Sequence, residues 1–189
     1  TCSVMPDNCA LRGAILKANE HAGADEIVLR AGTYNLTIAG TGEDLGETGD
    51  LDVTDEAAVA AGIAETERAA GPIDILVNNA AVNLRKPLPE YTTGEWRALQ
   101  AANVDGPFFV IRAVLPGMQA RRRGKIINIC SLASDIGRPR IVAYAASKGA
   151  LKMLTRALAV ESAPFNVQVN GIAPGFFRTE MNAPLVADA

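Results

Sequence analysis

Tyr144-Ala-Ala-Ser-Lys148 sets a phenol and an ammonium four residues apart, thirteen residues after the Ser131 that closes Lys125-Ile-Ile-Asn-Ile-Cys-Ser131. On a helix, residues four apart lie one above the other on one face. An ammonium one turn from a phenol favours the phenolate and lowers the tyrosine pKa from about 10. A tyrosine tuned that way exchanges a proton near neutral pH. A serine at the C-terminal end of a strand, facing that helix, can hold a carbonyl or alcohol oxygen beside the phenol. The constellation points to an oxidoreductase. Taken singly, Tyr144 and Lys148 read as an ordinary helix pair and Asn103 as a cap or a satisfied polar residue. Only the joint pattern lifts the functional reading above these.

The elements that must position these groups follow from Leu51 onward, where apolar strands alternate with helical patterns. Leu51-Asp52-Val53 is a short strand signal. Thr54 can cap a helix that carries Asp55 and Glu56 in its first turn, presents Val59 and Ile63, and stops at Gly71-Pro72. Ile73 to Ala80 is a buried strand running into a polar turn. Thr92-Thr-Gly-Glu95 is a capping box, followed by Trp96, Leu99 and Asn103 at helical spacing. Another helix runs from near Pro107 towards Gln119. A strand over 125–131, a helix around 141–162 and a strand over Val167–Ile172 complete the pattern. Continuous apolar strands between helices predict a parallel sheet covered on both faces, with ligands beyond the strands' C-terminal ends. Asn78-Asn79, Ser131 and Pro174-Gly175 fall at such ends.

Residues 1–50 have another style. Leu11, Ile15 and Leu16 suggest a short helix, and Glu26–Leu29 and Thr33–Ile38 are strand-like. Residues 39–50 are acidic, rich in Gly and Thr, and read as a loop. The start, Thr1-Cys-Ser-Val-Met-Pro6, is neither a signal peptide nor an ordinary beginning, and the chain reads as a fragment of something longer. Its 189 residues suffice for one core with an appendage, and its net charge of −3 gives no reason to expect nucleic acid or an anionic membrane as partner. Cys130, inside an apolar strand, reads as an inert core thiol. Cys2 and Cys9 are a disulfide in an oxidising compartment or two free thiols. A single histidine, His21, argues against a metal site.

At these residues the stretch from Leu51 to about Val186 resembles the short-chain dehydrogenase/reductase family. Gly124-Lys-Ile-Ile-Asn-Ile129 and Pro174-Gly-Phe-Phe-Arg-Thr-Glu-Met-Asn182 suggest its gluconate 5-dehydrogenase-like subgroup. The resemblance implies an α/β, Rossmann-like three-layer sandwich with a parallel sheet, here incomplete: the first βαβ unit is replaced and the C-terminus truncated. It divides the chain into a non-family segment, 1–50, and a dehydrogenase-like core, 51–189. It implies hydride transfer between NAD or NADP and a secondary alcohol or ketone of sugar-acid or polyol type. Tyr144 would be the acid/base, Lys148 would tune it and hold the nicotinamide ribose, Ser131 would bond the reacting oxygen, and Asn103 would anchor a proton relay through water. Asp52 and Val53 would lie beside the adenine. Asn79 and Ala80 would support the cofactor ribose, and Pro174, Gly175 and Thr179 would border the nicotinamide. A homo-oligomer through helices at 92–120 and 141–162 and a cytoplasmic location follow from the same resemblance.

Three features depart from the family. Its Thr-Gly-x-x-x-Gly-x-Gly turn, whose glycines let backbone N–H groups approach a pyrophosphate, is absent. Thr41-Gly-Glu-Asp-Leu-Gly-Glu-Thr-Gly49 has other spacing and acidic residues in the way. Ala81 stands where the family usually has glycine, and the chain stops at Ala189 before the substrate-covering region is complete. Cys9-Ala-Leu-Arg-Gly-Ala-Ile15, with Ala24–Leu29 and Ala31–Ile38, resembles instead the Cys-Ser-Leu-Arg-Glu-Ala segment of secreted bacterial β-helix proteins. Two unrelated pieces joined near Thr48–Thr54 are the expectation. Strands 26–29 and 33–38 are candidates to fill the sheet beside 73–77. The alternatives to an oxidoreductase are a non-catalytic α/β module that keeps the tetrad as a relic and a secreted β-helix or surface protein.

Overall fold

The computed structural model describes residues 52–175. The readings on the N-terminal helix and strands, Cys2 and Cys9, the Thr41–Gly49 string and Thr179 lie outside these residues.

Helix α1, Glu56–Ala70, is capped by Asp55, whose carboxylate accepts from the Ala57 and Ala58 N–H groups at 2.9 and 3.1 Å. The expected cap, Thr54, is engaged elsewhere: its N–H and hydroxyl both donate to Asp52 Oδ1, at 2.8 and 2.7 Å. That local bonding competes with extended backbone, and Val53-Thr54 forms a turn where a strand was expected. Gly71, with φ 85°, ends α1 as foreseen.

Three strands follow, β1 (Ile75–Asn78), β2 (Gly124–Ile129) and β3 (Val167–Ile172), all parallel in the order β1-β2-β3. Between them lie α2 (Thr93–Gln100), α3 (Gly106–Arg121) and α4 (Val142–Ser162). The capping box forms as read: Glu95 N–H donates to Thr92 Oγ1 at 3.1 Å, and Glu95 Oε2 accepts from Thr92 N–H at 2.8 Å.

The sequence reading separates α2 from α3; the structure joins them through a π turn, Ala101–Asp105. Pro107 lacks the N–H that an α-helix would send back to the Asn103 carbonyl, and a wider turn accommodates that gap. Asn103 is thereby buried inside the turn rather than on a regular helix face.

Pairing register sets Leu76 and Asn78 beside Ile126 and Asn128, which in turn face Val169 and Gly171. These side chains share one face of the sheet. Ile126, Val167 and Val169 pack there against Val59 and Ile63 of α1 and against Val110, Ile111, Val114 and Met118 of α3, with Leu154 and Leu158 of α4 alongside. Gly124 is required by the same packing, because a Cβ there would stand 2.5 Å from Met118 Sδ and 2.8 Å from Met118 Cβ. The face carries one buried polar line. Asn78 Nδ2 donates to Asn128 Oδ1 at 2.8 Å, Asn128 Nδ2 to Thr155 Oγ1 at 2.9 Å, and Thr155 to the Leu151 carbonyl.

The opposite face, bearing Ile75, Val77 and Ile172, is open among the described residues, with Ile75 57 %, Val77 52 % and Ile172 51 % exposed. The parallel sheet with flanking helices agrees with the expected α/β class, and the described helices that build the core lie on one side of it.

Candidate active site

Strand β2 ends at Ile129, one turn of chain before Ser131. Ser131 caps the short 3-10 turn Leu132–Ser134 and accepts the Ala133 N–H at 3.1 Å. Ser134 accepts from the Ser131 N–H at 3.2 Å and donates to the Lys148 carbonyl at 3.0 Å, so one hydroxyl fastens the serine turn to α4. The Leu132 N–H reaches the Pro174 carbonyl at 3.4 Å, drawing the end of β3 to the same place.

On α4, Tyr144 is half-buried and Lys148 is 2 % exposed. The Lys148 ammonium donates to the Ile129 carbonyl at 2.6 Å and lies 5.8 Å from the centroid of the Tyr144 ring. Burial lowers the Lys148 pKa from 10.5 to about 8. The Tyr144 phenol behaves against expectation: burial pushes its pKa above 10, and a hydrogen bond with the Ser131 side chain opposes that push. The lysine charge is directed to a backbone carbonyl at the strand end, and desolvation of the phenol outweighs the rest. Cys130 is buried and free, with its thiol pushed up by burial, in keeping with an inert core residue.

Ser131, Tyr144 and Lys148 are thus brought together at the C-terminal end of β2. Asn103 joins them less directly. Its amide closes two bonds on the Val82 backbone, accepting from the N–H at 2.8 Å and donating to the carbonyl at 2.9 Å, and donates a third to Ser147 Oγ at 3.0 Å. Asn79 and Ala80 are exposed just past the last β1–β2 register pair, Asn78 and Asn128. Pro174 and Gly175 stand beyond β3. Asp52 stays exposed, its carboxylate occupied and acidified by Thr54. Val53 packs against Gly106, where a Cβ would meet it at 3.1 Å.

Sequence reasoning passed over Ser134 and Ser147, which hold this arrangement in place. Ser147 lies inside the Tyr144–Lys148 stretch, one helical turn from Tyr144, and that spacing was the available signal.

A short chain dehydrogenase profile matches residues 36–189. The chain belongs to the short-chain dehydrogenase family. The match begins ahead of the boundary expected near Leu51. Among relatives, gluconate 5-dehydrogenase of Gluconobacter oxydans (strain 621H) is 50 % identical over 141 residues, covering 75 % of this chain and 55 % of that protein. A 2-dehydro-3-deoxy-D-gluconate 5-dehydrogenase of Formosa agariphila is 38 % identical over 185 residues, 97 % of this chain and 68 % of that protein. In structure, a gluconate 5-dehydrogenase from Burkholderia cenocepacia J2315 in complex with NADP and tartrate superposes with a TM-score of 0.71 at 50 % identity, over 73 % of this chain and 54 % of that one. The chain therefore spans about half the length of the gluconate 5-dehydrogenases it matches.

The described residues fit the nicotinamide half of a dinucleotide. Lys148 spends one of its three N–H donors on Ile129, and the Asn79-Ala80 turn is open beside that strand end. The segment that would have to meet the phosphates lies outside the described residues.

Proposed function

We propose that this chain carries the proton-transfer centre of an NAD(P)-dependent oxidoreductase that interconverts a secondary alcohol and a ketone of sugar-acid or polyol type. The observation that carries the reading is the convergence of Ser131, Tyr144 and Lys148 at the C-terminal end of a parallel strand, where α/β sheets bind ligands. The likeness to gluconate 5-dehydrogenases supports the substrate class.

The cofactor supplies the place where the hydride arrives or departs. Tyr144 gives the proton to the substrate oxygen during reduction and takes it back during oxidation. Ser131 holds that oxygen within reach of the phenol. Lys148 presents its remaining N–H groups to the cofactor ribose and, as an ammonium near the ring, favours the phenolate once substrate and cofactor are bound. Asn103 anchors the proton relay. Asn79, Ala80, Pro174 and Gly175 border the cofactor, with Thr179 completing that border and Asp52-Val53 towards the adenine.

Titrating NADH and NADPH while following nicotinamide fluorescence tests the reading. Saturable binding is expected, and no binding at millimolar cofactor would sink it for this chain. Tyr144→Phe should then lower turnover by at least about a hundredfold while leaving cofactor affinity in place. Retained turnover would refute the role given to Tyr144.

Ala81, where the family usually has glycine, favours a second reading, a binding module that keeps the tetrad without turnover. Cofactor binding with no oxidation or reduction of gluconate-type substrates would select it. We also infer from the change of style in the sequence that two pieces join near Thr48–Thr54; the family match starting at residue 36, ahead of that point, speaks against it. The 97 % coverage against the Formosa agariphila relative does so too. Sequencing the source gene across codons 45–55 tests the idea, and an uninterrupted native gene would weaken it. Pairing between copies through the α2–α3 run and α4 is supported by exposed Phe108 on α3 and Met153 and Val160 on α4. No helix of the described residues is long and apolar enough to cross a membrane, and a cytoplasmic setting accords with the family's chemistry.

A further inference from the structure

Ser147 is fully buried, carries no role in the reading above, and stands at the junction of two separately supported parts of the site. Its hydroxyl donates to the Tyr144 carbonyl at 2.7 Å and accepts from Asn103 Nδ2 at 3.0 Å. The same Asn103 amide closes the pair of bonds on the Val82 backbone. Val82 follows Asn79-Ala80-Ala81, the segment that leaves β1, of which Asn79 and Ala80 are exposed. A continuous path of bonded groups therefore runs from the Val82 backbone through Asn103 and Ser147 to the carbonyl of Tyr144. Alone, the Asn103 amide would fix Val82 to the π turn only; Ser147 links that amide directly to α4, beside the Gln100 Nε2 bond to the Ala143 carbonyl at 3.1 Å.

We propose that Ser147 is a positioning residue: through Asn103 it fixes the turn after β1 at a set distance from Tyr144, so that the proposed cofactor border and the proton-transfer pair behave as one rigid unit. The inference rests on the proposed function for its meaning in catalysis, while the coupling itself is a property of the folded chain. A serine suits the place because it must accept and donate at once within a fully buried space. Alanine removes both bonds and strands one N–H of Asn103, and cysteine keeps the volume with a much poorer acceptor.

The test is residue-resolved amide hydrogen exchange on the full chain, comparing Val82 N–H with Ile126 N–H in the central strand β2 as a reporter of the sheet. In Ser147→Ala, Val82 should exchange at least about tenfold faster relative to Ile126, and Ser147→Thr, which keeps the hydroxyl, should restore most of the protection. Should Ser147→Ala fail to fold, the near-isosteric Ser147→Cys is measured in the same way, with the same ratio expected to rise. Equal acceleration at both amides, or none at Val82, would overturn the proposal. NADPH titration of the same variants gives the functional arm: weakened binding with Ser147→Ala and recovery with Ser147→Thr. If the wild-type chain binds neither NADH nor NADPH, the proposed function falls, yet the exchange ratio still decides whether Ser147 couples the two parts.

Discussion

At the residue scale, Lys148 gives the clearest pH signature. Its folded pKa, about 8, lies below the ordinary lysine value of 10.5, because the ammonium is buried. Between those values the unfolded chain binds more protons than the folded one, so stability should rise as pH climbs from about 8 towards 10. Below pH 8 the full penalty of a buried ammonium is present. Tyr144 acts in the opposite sense above pH 10, since its raised pKa makes the unfolded chain lose its proton first. Urea denaturation of the wild type at pH 7.5, 8.5 and 9.5 should show the rise, and Lys148→Met should flatten it. A slope unchanged in Lys148→Met would assign the effect to another group. At the same scale, Asn128→Ala should destabilise by about 2–4 kcal/mol in urea unfolding, because it strands Asn78 Nδ2 and removes the donor to Thr155 in a buried line. The family pattern revealed Tyr144, Lys148 and Ser131 as a group. It did not reveal that the ammonium is held by the Ile129 carbonyl, or that the phenol rises rather than falls. Those outcomes depend on desolvation and on where a strand's last carbonyl points, neither of which is written in residue spacing.

At the element scale, the strands and helices read from periodicity form within a few residues of their expected places, and the capping box at Thr92 forms as its four residues dictate. The misreadings have two local causes, side-chain bonding that competes with regular backbone and a missing backbone donor. Asp52 captures Thr54, so the helix start moves to Asp55, and Val53-Thr54 form a turn where Val53 was expected to end a strand. Pro107 widens the helix at Asn103, so two expected helices become one interrupted run. Close approach supplies a sharper test at β2. Gly124→Ala would drive a methyl into the Met118 side chain, whose Cβ as well as its mobile end is in the way. Thermal or urea unfolding should show a loss of about 1–3 kcal/mol, and pairing it with Met118→Ala should recover part of that loss. Additive losses in the double variant would contradict the clash.

At the scale of the whole molecule, the core is one-sided among the described residues: α1, α3 and α4 cover the face built on Ile126, while Ile75, Val77 and Ile172 look outward. Among the described residues, the exposed Ile75, Val77 and Ile172 on that face invite association. Val77→Lys should therefore slow concentration-dependent assembly, read as a smaller sedimentation coefficient at high protein concentration. An unchanged coefficient would argue that contacts elsewhere, such as the exposed side chains of α3 and α4, govern assembly. The sheet has a further property, seen in its strand order. Chain order and spatial order coincide, β1 then β2 then β3, all parallel. β2 emerges after its neighbour β1, and β3 after its neighbour β2, so these three strands can be laid down in one direction. Among the described strands, growth runs from β1 towards β3 and never returns to the β1 side.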